Sequence, residues 1–91
     1  MSSVTVNIPP HLQFLAKGTE ELNVDGNTVG DCLSLLVTEF PDLKEHIFSK
    51  ENNMFEDIMI MINGESAYPN TEAQPVKDGD EMDIIHVIGG G

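Results

Sequence analysis

The residues best suited to chemistry are the last three, Gly89, Gly90 and Gly91. Glycine loses more conformational freedom on ordering than any other residue and brings no side chain to packing, so three in succession are costly as structure. They predict a flexible tail. Taken alone, the tail fits two readings. One is a frayed end; the other is a thin segment that threads a narrow channel, where only residues without side chains come close to a backbone. In the second reading the reactive group is the carboxylate of Gly91. A carboxylate is a poor acyl donor until it is joined to AMP, which makes a mixed anhydride open to a sulfur or nitrogen nucleophile.

Nothing else in the chain is equipped for that activation. No Gly-rich loop leads into Lys-Ser or Lys-Thr, and no nucleophile–His pair is evident. The protein is therefore expected to be a substrate of such chemistry rather than an enzyme. Cys32 is the single cysteine, which excludes a disulfide framework and a thiolate zinc site; its place on an apolar helix face favours a buried structural thiol. His11, His46 and His86 are too widely spaced for a metal pair. Asp78, Asp80, Glu81 and Asp83 resemble the start of a calcium loop, but the glycine stands second and no distal Glu completes it, so they read as a charged turn. No metal is expected. Asp31-Cys32-Leu33 lacks the serine of an acyl carrier protein's Asp-Ser-Leu, and the strand content conflicts with a helix bundle.

Sixteen acidic residues against four basic ones give a net charge of −12. That balance argues against nucleic acid and anionic membranes as partners and for a protein with a basic docking surface. No apolar run approaches a membrane span, and the Met1–Val6 start has neither a basic region nor an apolar core. A cytoplasmic protein is the expectation. Ninety-one residues suffice for one domain, divided here into a folded part, residues 1–88, and the tail, residues 89–91.

Patterning supplies the elements that must position the tail. Val4, Val6 and Ile8 alternate with polar residues before Pro9-Pro10, which predicts a first strand; residues 11–19 read as a connection, and Glu20 to Val24 as a second strand. Thr28 is a candidate N-cap, with Asp31 in place of the usual capping-box Glu. Val29, Cys32, Leu33, Leu36, Val37 and Phe40 then form one helical stripe, ended by Pro41. Asp42 to Phe48 suggests a further helical turn, and Ser49 to Asn53 a polar loop. Ile58 to Ile62, closed by Asn63-Gly64, predicts a strand entering a tight turn. Residues 65–76 predict a short irregular strand and a loop, and Glu81 to Val87 a final strand. One helix across one mixed sheet is an α+β arrangement, with the first and last strands parallel at its centre.

Across its whole length the chain resembles the ThiS/MoaD family of ubiquitin-like sulfur carriers. The resemblance rests on the first strand ending at Pro9, Gly26-Asn27-Thr28-Val29-Gly30 opening the helix, Ile58 to Gly64, Asp78-Gly79-Asp80-Glu81-Met82, and the glycine tail. It implies a ubiquitin-like β-grasp fold: one main helix on a mixed sheet of four to five strands. On this register Gly90 and Gly91 match the family's terminal glycine pair, Gly89 stands where alanine is usual, and His86 stands where proline is common. The spacing of Ser49 to Phe55 is most similar to carriers that serve amino-acid biosynthesis.

The resemblance further implies a cycle. A partner of the ubiquitin-activating type adenylates Gly91 using ATP and magnesium, none of it bound by this chain. Sulfur from sulfide or a persulfide then displaces AMP, and the thiocarboxylate donates to a sulfur-accepting synthase. Gly89 and Gly90 are the threading segment. If Ile58, Ile60 and Ile62 face the helix, then Met59, Met61 and Ile85 point outward, and with Val87 and Ile88 they form the expected partner interface. A second layer or a dimer covering those methionines is the alternative. Two other functions stay open: attachment of the same activated glycine to protein lysines, and a plain interaction module with an incidental tail.

Overall fold

The strand that leads to the tail lies inside a five-stranded mixed sheet. The computed structural model describes residues 3–48, 58–68 and 70–86. β1 (Ser3–Asn7) turns back through a 3-10 helix (Pro10–Ala16) into β2 (Glu21–Asp25). α1 (Val29–Glu39) is followed by a 3-10 turn (Pro41–Leu43) and the short α2 (Lys44–Ile47). β3 (Ile58–Ile62), β4 (Glu65–Ser66), a 3-10 turn (Thr71–Ala73) and β5 (Glu81–His86) complete the order. The sheet runs β2-β1-β5-β3-β4. β1 and β5 are parallel, and their neighbours pair antiparallel to them.

Alternation decides which side chains fill the interior. Val4, Val6, Met82, Ile84, Ile58 and Ile60 point to one face and are buried, and the α1 stripe of Val29, Cys32, Leu33 and Leu36 packs onto them. Leu43 and Ile47 close one side of this core. Each such side chain contributes roughly 1.5–3 kcal/mol by leaving water. α1 begins as anticipated: the Asp31 amide donates to Thr28 Oγ1 at 3.1 Å. The Asp31 carboxylate accepts from the Asn27 amide at 3.3 Å, one residue before the cap.

Several expectations need adjustment. Residues 11–19 are not a plain connection, since Pro10 to Ala16 wind into a 3-10 helix that buries Leu12 and Ala16. β2 is shifted one residue, to Glu21–Asp25. Val37 and Ile62 are only half-buried, at the rim of the core. The helical turn expected over Asp42 to Phe48 is present as a 3-10 turn continuing into α2. The loop from Ser49 to Asn53 lies outside the described residues, as does Pro69.

Candidate functional site

β5 is anchored at its start by the turn that follows β3. Asn63 and Gly64 form the turn after β3 with φ of 51° and 85°, the left-handed pair that an Asn-Gly hairpin requires. From that turn the Asn63 amide donates to the Glu81 carbonyl at 2.8 Å, and its Oδ1 accepts from the Glu81 amide at 2.9 Å. Its Nδ2 donates to Asp80 Oδ1, also at 2.9 Å, while Asp80 Oδ2 accepts from the Lys77 amide. Asp80 is covered by this local turn rather than sunk in the core. The Asn63 hydrogen bond, then the Lys77 amide, hold its carboxyl below the ordinary carboxylate range.

From that anchor β5 runs through the sheet centre to His86, opposite Ile58. The expected site residues beyond it, Val87, Ile88, Gly89, Gly90 and Gly91, lie outside the described residues. The residues expected on the outer face are placed as follows. Met59 and Ile85 are direct cross-strand partners, and both are exposed. Met61 is half-buried and pairs with Asp83.

The patterning missed an exposed aromatic residue just beyond β4. The Ala67 amide donates to the Ile60 carbonyl at 2.9 Å, continuing the β3–β4 ladder one step. Tyr68 follows directly, its amide donating to Ser66 Oγ at 3.2 Å, and it is 82% exposed. Met59 and Ile85 thus form an apolar row near the end of β5, with Tyr68 exposed just beyond β4. The signal in the sequence was an aromatic residue among small polar ones before Pro69, but the length of β4 was not readable. Phe14, exposed on the 3-10 helix that follows β1, is a further apolar group missed by the patterning.

Below this row the outer face is polar and acidic. Met61, Asp83, Asn7 and Glu21 follow one another across β3, β5, β1 and β2. Asn7 Nδ2 donates to Asp83 Oδ1 at 2.6 Å and to Glu81 Oε1 at 2.9 Å, using both amide protons to hold two carboxylates side by side. Next to them is an open groove of about 420 Å³, bounded by Pro9, Pro10 and His11 on one side and Asp83 and Ile85 on the other. A second cavity, of about 380 Å³, lies on the helical side between Gly30, Ser34, Val37, Lys44, Phe48 and Glu72.

Other candidates for chemistry sit elsewhere. Cys32 has no exposed surface, and burial, then the Asp31 charge, push its thiol up to about 11. It is a core group. His11 borders the groove and His46 is on α2. Among the described residues no cluster of His, Cys, Asp and Glu could hold a metal ion, and no helix is long and apolar enough to cross a membrane.

The architecture is the ubiquitin-like β-grasp fold, an α+β arrangement with five strands and one main helix. The chain belongs to the ThiS family, whose model matches residues 6–91. Small archaeal modifier protein 1 of Haloferax volcanii is 32% identical over 74 residues, covering 80% of this chain and 82% of the relative. The solution structure of small archaeal modifier protein 1 from Methanosarcina acetivorans is similar with a TM-score of 0.87 and 33% identity, over 100% of this chain and 98% of that one. A chain in the BexX/CysO complex of Amycolatopsis orientalis is 27% identical with a TM-score of 0.85, over 97% of this chain and 99% of that one.

Proposed function

We propose that this protein is a sulfur carrier working through the carboxylate of Gly91. An adenylating enzyme of the ubiquitin-activating type uses ATP and magnesium: the carboxylate oxygen bonds to the α-phosphorus and pyrophosphate departs. Sulfide then bonds to the acyl carbon and AMP leaves, yielding a thiocarboxylate that a sulfur-accepting synthase consumes. The observation that carries this reading is the family match, which runs from β1 through the three glycines without stopping at the folded part. The buried, weakly acidic Cys32 supports placing the chemistry at the tail rather than on a side chain.

In this reading the enzyme grips the outer face through Met59, Ile85 and Tyr68, with Met61 at its edge and Val87 and Ile88 continuing toward the tail. Apolar side chains ringed by acid suit a protein contact, and methionine adapts to more than one partner. The solved complex containing a relative supports a stable partner for this chain too. A second reading, in which Gly91 is joined to lysines of other proteins, is favoured by the likeness to proteins named as modifiers. Incubation with an adenylating enzyme, ATP, magnesium and sulfide separates them. Carrier chemistry replaces one terminal oxygen by sulfur, whereas tagging adds this chain to other proteins. If removal of Gly90-Gly91 left both products unchanged, both readings would fail.

A further inference from the structure

We propose that the groove between Pro9-Pro10-His11 and Asp83-Ile85 receives an arginine side chain of the enzyme that holds the tail. The proposal rests on the reading that a partner grips this end of the sheet. Three features of the groove select the occupant. First, Asp83 is half-buried at its edge, and Asn7 fixes one carboxylate oxygen at 2.6 Å, which orients the carboxylate. A guanidinium is planar, always charged and weakly hydrated, so it matches a fixed carboxylate better than an ammonium does. Second, Pro9, Pro10 and Ile85 give the groove apolar walls against which an arginine stem can lie.

Third, the five strands carry neither Lys nor Arg. The chain's net charge of −12 makes a cationic partner the complementary one. Ile85 belongs both to the groove and to the apolar row it forms with Met59. A partner seated on that row has its neighbouring residues over the groove. The matching surface is an arginine beside an apolar side chain.

Backbone and side-chain amide shifts of the full chain, titrated with acetyl-arginine amide and separately with acetyl-lysine amide at low salt, test this directly. The expected result is a set of shifts confined to the Asn7 side-chain amide, His11, Asp83 and Ile85, larger for arginine than for lysine. Asp83→Asn, which keeps an acceptor for Asn7, should weaken arginine binding about two- to fivefold, the range one exposed or half-buried charge pair carries. Glu81→Gln removes the same charge from the same Asn7 clamp but not from the groove, and should leave the affinity nearly unchanged. Equal losses in the two variants, or shifts spread over all the acidic residues, would overturn the proposal by showing only a diffuse field. None of these measurements uses the terminal carboxylate. Arginine binding without thiocarboxylate formation would therefore count against the proposed function alone.

Discussion

Replacing Asn63 with alanine tests how the start of β5 is held, and through it the placement of the outer face. The substitution removes two side-chain hydrogen bonds, to the Asp80 carboxylate and from the Glu81 amide, each 2.9 Å. A bond to a charged group is worth about 1.5–3 kcal/mol and a neutral one about 0.5–1.5, and water replaces part of both at this partly covered turn. Together they suggest a loss of about 2 kcal/mol. Alanine also tolerates φ of 51° less well than asparagine, which adds roughly 1 kcal/mol. The total of about 3 kcal/mol corresponds to a melting point lowered by about 12–24 °C for a domain this small.

Asn63→Gly removes the same bonds without the backbone penalty, so it should melt between the wild type and Asn63→Ala. Acid dependence provides an independent readout. Asp80 has a depressed pKa when folded, so its ionised form contributes stability above its unfolded value. That contribution is lost as pH falls from the ordinary carboxylate range, through the unfolded and then the lower folded value. Asn63→Ala removes the largest cause of the depression and should flatten this part of the acid profile. Far-UV circular dichroism melts across that range measure both effects. A melting point within about 3 °C of wild type, or an unchanged acid slope, would refute the reasoning.

Other outcomes follow from the same geometry. Gly26→Ala places a Cβ 2.9 Å from Cys32 Sγ and 3.2 Å from the Cys32 amide, so the α1 start must shift. A loss of about 1–3 kcal/mol in urea unfolding is expected. The Cys32 thiol, held near 11 in the core, should stay unmodified by a disulfide reagent at pH 8 in the native protein and react fully in denaturant. Ile85→Glu, at an exposed position, should leave the melting point nearly unchanged while weakening capture by the adenylating enzyme.

The parts of the fold that were legible in the sequence are those where burial imposes a period. The α1 stripe from Val29 to Leu36, the Ile58–Ile62 run and the Met82–Ile84 alternation each bury one face, so the order of residues states which way they point. The Asn63-Gly64 turn was legible because few residues accept positive φ. Pro9-Pro10 in the sequence signals an end to the strand. Proline's fixed φ instead starts the 3-10 helix, whose short length gives little periodicity to detect.

The outer face was legible only in part. Met59 and Ile85 followed from alternation. Tyr68 is exposed where the chain leaves a two-residue strand, a matter of backbone geometry. Asn7, Glu81 and Asp83 come from opposite ends of the chain, and their meeting requires the register of β1 against β5. No local pattern encodes that pairing. The role of Asp80 was hidden for the same reason: as one acid in an acidic turn, it is distinguished only by the Asn63 side chain across from it.

Whether Gly91 carries the chemistry can be read from the mass of the protein itself. The intact protein would be incubated with an adenylating enzyme, ATP, magnesium and sulfide, and its mass and C-terminal fragments recorded. The account predicts one oxygen replaced by one sulfur, located at Gly91 and dependent on ATP. An unchanged mass with active enzyme, or a sulfur carried on any other residue, would contradict it.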